Sequence, residues 1–488
     1  MTSVEKYIED KVVISSGEVL GYIEETFGVA NDAARKRLQR LHSYIYKIKG
    51  ICRDGQSILY HEKNWTNPNF LDKLMDVLKN NAQQHYAVLN AIKLYCGLIP
   101  KKILAEYTIS PIGNIKGHKR LSTIITDLTR LRLISEIDDS YVAVGGYITC
   151  NDKRSKAVNV IHEMTIAHFH EWGRNIGLFA YNSAKFHHEL SSYQFAMVAP
   201  SYINSLVVKS TKGKAIPAFV VVDILLNKDL GKDDIVFFIK KLENVSMRNP
   251  NAKIIPFLLI GSHDKEVYQL LKEKGIIVGN VDELFGNKYL ETVYGIQNLI
   301  ENAGAILKSH PEQYLNVIKS IEALSTGKTY NLKGDLFEMA VGYFHGQLCK
   351  ILEISKTIRR DNEMREIDVY AVYQDKVVFA ECKGYNSKID KDYVEEWLSK
   401  KIPIIRKWAL SCESLCDKKI VFEIWSTGGF TAEANEELSR AQQGTKKYQI
   451  DVYDLDKMRL LAKEKKVRHF VKIVDSYYTK EILYTNAK

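Results

Sequence analysis

Apolar positions change their period several times along the chain. From Ser16 to His42, Val19, Leu20, Ile23 and Phe27 recur as the buried stripe of a helix, and Gly28 ends the run. Asn31 can cap a second helix from Asp32 to about His42, with Leu38 and Leu41 facing inward. The next stretch alternates and turns at Asp54-Gly55, which predicts a hairpin. The order recurs: two helices between Tyr86 and Ile109, a third opening after Gly117, and a hairpin turning near Asp138-Asp139. Helix, turn, basic helix, hairpin is the order of a winged helix-turn-helix domain. We expect two in tandem, at residues 1–65 and 66–150.

Charge sharpens the first of these. Arg35, Lys36, Arg37, Gln39 and Arg40 fill the side of the second helix that Leu38 and Leu41 leave outward, and DNA contact is the expectation there. In the second domain Lys116, His118, Lys119 and Arg120 open the third helix, and Arg130 and Arg132 close it. DNA or a protein partner fits that arrangement, with Lys119 and Arg120 as the DNA-binding candidates. A basic helix face can also serve solubility alone.

In the last third, Leu336, Phe337, Ala340, Val341 and Phe344 make the core side of a helix, and Glu338 lies beside that side. Glu366 to Asp390 reads as two strands and a loop. Alternation puts Glu381 and Lys383 on one face and Cys382 on the other, with Asp368 near the far end of the hairpin. A covering helix from Lys391, a strand with a Gly428-Gly429 turn, a helix capped near Thr431, and a final strand and helix follow. The order is α-β-β-β-α-β-α-β-α, a mixed sheet flanked by helices.

Glu338, Asp368 and Glu381-Cys382-Lys383, in that order, resemble the PD-(D/E)xK nuclease superfamily. The closing strand and "STGGFTAEA" resemble its Mrr-type restriction endonuclease branch, over roughly residues 330 to 470. Ile367 stands where that motif often has proline. The resemblance implies a catalytic set of Glu338, Asp368, Glu381 and Lys383. It implies Mg²⁺, with Mn²⁺ as a substitute, on the carboxylates of Asp368 and Glu381, with Glu338 and the Cys382 carbonyl completing the shell. Lys383 would orient or deprotonate the attacking water. The alternative is a buried Glu–Lys–Asp network without catalysis.

The middle of the chain looks like a second copy. "HEMTIAHFHEWG" aligns with "FEMAVGYFHGQL", setting Glu163 on Glu338, and "VVVDILLNKDL" aligns with "VFAECKGYNSK", setting Asp223 on Glu381. Leu225 then stands in the lysine place, and "YQFAMVAP" has no acid where Asp368 should be. Such a copy would bind or dimerise rather than cut. His162, His168, His170, His187 and His188 lack HExxH spacing and read as ordinary helix histidines.

The expected fold is thus multidomain. It has α+β winged helices at the N-terminus, then two α/β restriction-endonuclease-like domains. The degenerate one spans 151–287 and the nuclease domain 331–488, joined by a helical connector at 288–330. A chain of 488 residues with 45% apolar and 26% charged positions is ordinary for a globular protein of several domains. No apolar run approaches a membrane span and the charged start lacks a signal core, so a cytoplasmic protein is expected. Seven cysteines, among them the lone Cys412/Cys416 pair, read as free thiols without a zinc site. A net charge of +10 permits a polyanionic partner.

The function expected is a Mg²⁺-dependent DNA endonuclease in restriction or antiphage defence. It would self-associate to a dimer, with other defence or recombination subunits as further partners. The alternatives are a winged-helix DNA-binding or assembly subunit with a structural nuclease fold, and a nuclease of recombination or transposition. No GxxxxGK[ST] motif is present, so an ATP-driven step would need a partner.

Overall fold

The computed structural model describes residues 2–478 apart from 138–139, 146–151, 181, 204–206, 210–214, 228–229, 251–252, 262–263, 311, 315, 318–329, 361–362, 386 and 416. The expected turn at Asp138-Asp139, Cys416 and most of the connector's end lie outside these residues. The protein is multidomain α+β, with mixed sheets flanked by helices. Among the described residues no helix is long and apolar enough to cross a membrane. Cys52, Cys96, Cys349, Cys382 and Cys412 are free thiols.

The chain forms two compact units, Met1–Asn151 with Gly173–Asn280, and Asp152–Trp172 with Val281–Lys488. Residues 152–172, expected to serve the middle sheet, thus belong to the second unit. Thr165 and His168 explain this: the Tyr289 hydroxyl donates to Thr165 Oγ1 at 3.2 Å, and His168 Nδ1 lies 2.9 Å from the same hydroxyl. These bonds hold the stretch on the helix Tyr289–Glu301.

The first unit opens with α1 (Ser3–Lys11), β1 (Val13–Ser15), α2 (Ser16–Phe27), α3 (Asn31–Gln39), β2 (Ile45–Ile48) and β3 (Ile58–His61), with sheet order β1-β3-β2. Val19, Ile23, Ala34, Ile45 and Leu59 share its core, and Leu38 and Leu41 pack partly against it. Helix α1 starts in a capping box, Thr2 with Glu5, that the charge-based reading of this stretch passed over. Two details differ from expectation. Ala30, not Asn31, is the N-cap of α3, which ends at Gln39. Phe27 is 39% exposed rather than buried in the core, and the Arg37 guanidinium, 4.3 Å from its ring, shields part of it.

After α4 (Phe70–Asn81) come α5 (Gln83–Leu94), β4 (Leu98–Pro100), α6 (Lys101–Leu104), α7 (Leu121–Arg130), β5 (Ile134–Ile137) and β6 (Tyr141–Val144), with order β4-β6-β5. From α5 onward this repeats the helix-strand-helix-helix-strand-strand order of the first segment.

The unit's larger sheet holds β7 (Lys185–Leu190), β8 (Tyr193–Ser201), β11 (Ala218–Leu225), β12 (Ile254–Ile260) and β13 (Ile277–Asn280) in that spatial order. A two-strand ribbon, β9 (Val208–Lys209) and β10 (Ala215–Ile216), interrupts the chain order. β7-β8 and β8-β11 are antiparallel, and β11-β12 and β12-β13 parallel.

The second unit's sheet is β14 (Ile351–Arg360), β15 (Glu363–Val372), β16 (Lys376–Lys383), β17 (Lys419–Ser426) and β18 (Gln449–Tyr453). Its order and its sequence of two antiparallel then two parallel junctions are the same. The likeness reaches single residues. The β8–β11 ladder stops at Met197↔Val222, and the β15–β16 ladder at Val369↔Ala380. Each stop falls one residue before the strand acid, Asp223 or Glu381. On the neighbouring ladder His187 (φ 46°) and Ser355 (φ 51°) are skipped at matching places, both in the left-handed region that non-glycine residues seldom enter.

Candidate active site

β16 brings Glu381 and Lys383 to one face by simple alternation. On that face Val377 and Phe379 sink into a core with Trp397, Ile402 and Ile405 of the covering helix, which fixes the strand's register. At Glu381 the ladder to β15 has already ended, while pairing to β17 runs on to Lys383↔Ser426. Continued by one step, the β15 register sets Asp368 opposite Glu381. The Cys382 N–H, left without a β15 carbonyl, donates to Asp368 Oδ2 at 2.7 Å. Asp368 and Glu381 are 6% and 3% exposed, so the open ladder buries two carboxylates against each other.

Such a pair needs positive charge. Lys383 Nζ lies 3.1 Å from Glu381 Oε1, and the Tyr393 hydroxyl donates to the same oxygen at 2.5 Å. Lys401 pairs with Glu381 Oε2 and stands 3.8 Å from Asp368 Oδ1. Burial, then the charge of Glu381, pushes the Asp368 carboxyl up to about 6 against the pull of Lys401 and Lys383. Burial acts to raise Glu381 too, but the two lysine charges and the bonds from Lys401 and Tyr393 outweigh it and hold it below the usual range. Burial would lower both lysines, yet the facing carboxylates hold Lys383 and Lys401 above the ordinary lysine value.

Lys401 ends a π-helical turn, Trp397–Lys401, between the helices Lys391–Glu396 and Ile402–Ser411. Pro403 offers no N–H to the carbonyl four residues earlier, and the wider turn accommodates that loss.

Glu338 lies in an adjoining cluster. Lys156 Nζ is 3.0 Å from Glu338 Oε2, 2.8 Å from Glu366 Oε1 and 2.8 Å from Ser355 Oγ, and Ser355 donates to Glu338 at 3.0 Å. Cys382 points away from Glu381. Burial and the charges of Asp368, Glu338 and Glu381 push its thiol well above its usual value.

The structure therefore gathers Asp368, Glu381 and Lys383 directly, with Glu338 held by Lys156 beside them. Sequence reasoning missed Tyr393, Lys401, Glu366 and Lys156. Three left a signal. Glu366 precedes Asp368 by two, and Tyr393, Trp397 and Lys401 form one i, i+4, i+8 stripe whose middle member is buried. Lys156 left none, since it sits 182 residues before Glu338.

Among the described residues no group of three or more His, Cys, Asp or Glu side chains gathers to hold a metal ion. The donors at the open ladder are two carboxylates, hard oxygen ligands of the kind Mg²⁺ takes while keeping several waters. On that chemistry Asp368 and Glu381 fit the cation.

The first unit repeats the frame with different contents. Asp223 accepts the Ala196 N–H at 3.0 Å, and the register sets Ala196 where Asp368 stands in the other sheet. Buried Leu225 holds the Lys383 place. Lys241 of the helix Lys232–Arg248 pairs with Asp223, with no exposure at all, and donates to the carbonyls of Glu106 at 2.6 Å and Gln194 at 2.8 Å. Burial pushes Asp223 up to about 7, opposed by Lys241. Glu163, expected to match Glu338, lies in the stretch that belongs to the second unit. The acid beside Asp223 is Glu106, 2.6 Å from His187 Nδ1. His187 and His188 are on β7, not on a helix.

Of the expected DNA-binding residues, Arg35, Lys36, Arg37 and Arg40 are exposed on or at the end of α3. Lys119 donates to the Gly50 carbonyl at 2.9 Å and pairs with Asp127 at 3.2 Å, and Arg120 is the half-buried N-cap of α7.

Comparison with protein-family models gives no match for this chain, and comparison with curated proteins gives none either.

Proposed function

We propose that the second unit is a Mg²⁺-dependent DNA endonuclease of the PD-(D/E)xK kind, with Mrr-type restriction or antiphage defence as its setting. The observation that carries this reading is the buried Asp368–Glu381 pair at the open end of the β15–β16 ladder, with Lys383 on the same face. When bound, Mg²⁺ would polarise the scissile phosphate and lower the pKa of a water. Asp368 and Glu381 would hold the cation, and Lys383 would orient the attacking water and balance charge that develops on the phosphate. Two helix-strand-helix-helix-strand-strand segments support reading residues 1–65 and 66–150 as winged helices, with the exposed Arg35, Lys36 and Arg40 toward DNA. One such centre cuts one strand, so a double-strand break calls for two chains or two successive events.

A second reading has its own observation. Every site carboxylate already has a lysine, as Lys156, Lys383 and Lys401 meet Glu338, Glu381 and Asp368. A DNA-binding subunit with a structural network would look the same. Cleavage of supercoiled plasmid with Mg²⁺, Mn²⁺ or chelator separates the two. The first reading expects metal-dependent nicking that Asp368→Ala, Glu381→Ala and Lys383→Ala each abolish. Nicking by Glu381→Ala at the parent rate would leave only the second. Neighbouring genes would separate defence from recombination.

A further inference from the structure

The four oxygens of Asp368 and Glu381 are divided by their partners. Asp368 Oδ2 takes the Cys382 N–H, and Glu381 Oε1 takes Lys383 and the Tyr393 hydroxyl. The remaining two, Asp368 Oδ1 and Glu381 Oε2, are the ones Lys401 meets. A single ammonium thus bridges both carboxylates, on the side left to them by these other bonds. We infer that Lys401 is a tethered cation that holds the place of the divalent ion between Asp368 and Glu381, and that it must leave for the ion to bind. The inference rests on reading these two acids as metal ligands.

The first unit supplies a comparison within the same chain. Lys241 reaches Asp223 from the helix after the strand, as Lys401 reaches Glu381. There the ammonium is sealed: it has no exposure, two backbone carbonyls bind it, and the Phe195 ring lies 4.2 Å away. Only one carboxylate of the strand pair is present there, and the sealed ammonium lies against it. Lys401 is 22% exposed and meets two carboxylates. Together with Lys383 it balances the two acids, but its exposure and long flexible stem give it a route out. The π turn that carries it is a local departure from helical register of the sort found at functional sites.

Lys401 therefore sets the affinity of the site. Without metal it suppresses repulsion between the acids, and with metal it is the competitor. The test is Mg²⁺ titration of the full chain by calorimetry, without DNA, for the parent, Lys401→Met and Lys401→Arg. Lys401→Met should bind Mg²⁺ on the order of tenfold more tightly, the size of effect that one close charge has on another. Lys401→Arg should bind as the parent does. Equal or weaker Mg²⁺ binding by Lys401→Met overturns the inference and leaves the metal site standing. Absence of Mg²⁺ binding in both overturns the metal reading as well. If Lys401→Met does not fold, the Nζ resonance of Lys401 in the unmutated chain decides. It should move toward that of a solvated lysine as Mg²⁺ is added, and an unmoved signal at saturating Mg²⁺ overturns the inference.

Discussion

Asp223 and Glu381 hold the same place in two sheets of identical strand order. Each lies one residue past the last pair of an antiparallel ladder, and each takes a lysine from the helix that follows. What differs is the residue opposite, Ala196 in one and Asp368 in the other. One acid and one ammonium cancel, so the strand pair in the first sheet offers a cation no surplus negative charge. In the second sheet two acids share two ammoniums, Lys383 and Lys401, and Lys401 meets both acids.

The first prediction follows from that cancellation. Asp223→Ala strands Lys241 in a fully buried place, and removal of one partner from such a pair costs about 3–5 kcal/mol. Replacing both, as Asp223→Leu with Lys241→Met, should recover most of that stability. Urea unfolding of the two variants measures it, and a stable Asp223→Ala protein would show that the pair does not support the sheet. On the proposed reading, in which the Glu381 site cuts, the folded double variant should cut plasmid at the parent rate.

The second prediction is a pH dependence. Asp368 is raised to about 6, above the roughly 4 of an unfolded aspartate. The folded state therefore favours its proton. The stability this group contributes is full below about pH 4 and lost as pH rises through about 6. If Asp368 is a Mg²⁺ ligand, as proposed, a proton on it competes with the ion, so affinity should climb with pH up to about 6 and then flatten. Calorimetry between pH 5 and 8 checks this, with Asp368→Asn as the control that removes the climb. A flat parent profile would mean that Asp368 is ionised throughout.

Much of this was legible in the residue pattern. Alternation alone placed Glu381 with Lys383 and turned Cys382 away. The gapless alignment paired Asp223 with Glu381 and left the Asp368 place without an acid, and the strand registers agree. The helix half of that alignment did not survive, because similarity between Glu163 and Glu338 says nothing about which core a helix joins. Thr165 and His168, through Tyr289, decide that. Lys156 was invisible for the same reason: its partners lie far along the chain. Phe27 misled because periodicity marks an apolar face without saying whether a guanidinium, rather than the core, will cover it.

Lys156 gives the third prediction. It holds Glu338 and Glu366 together through one ammonium. In Lys156→Met the two acids lose that tie, and Glu338 retains its bond from Ser355. An outer partner of this kind is worth about 10–100-fold in activity or metal affinity. Cleavage should fall by that factor with Asp368 and Glu381 untouched, and the double variant Lys156→Met, Glu338→Gln should lose no more than Lys156→Met alone. Full activity in Lys156→Met would make the cluster a support of the fold only.

The last prediction concerns how DNA is held. Leu38 and Leu41 pack toward the N-terminal core, which turns Arg35, Lys36 and Arg40 outward, whereas Arg37 is drawn onto Phe27. Lys119, tied to Asp127 and Gly50, is a poorer candidate than its charge suggested. A side chain that neutralises a phosphate releases counterions, so affinity for duplex DNA should fall steeply with salt. Neutralising Arg35, Lys36 and Arg40 together should flatten the log–log slope by roughly 0.9 for each phosphate they pair with. Weaker binding to phosphates alone affects all sequences alike. An arginine that reads a base would instead cost about 1–3 kcal/mol at one position and relax preference there. Anisotropy titrations over a salt series, with two unrelated duplexes, resolve both effects. If the triple variant keeps the parent affinity and slope on both duplexes, α3 does not hold DNA. The grip then belongs to the second helix-strand-helix-helix-strand-strand segment or to the unit that carries Glu381.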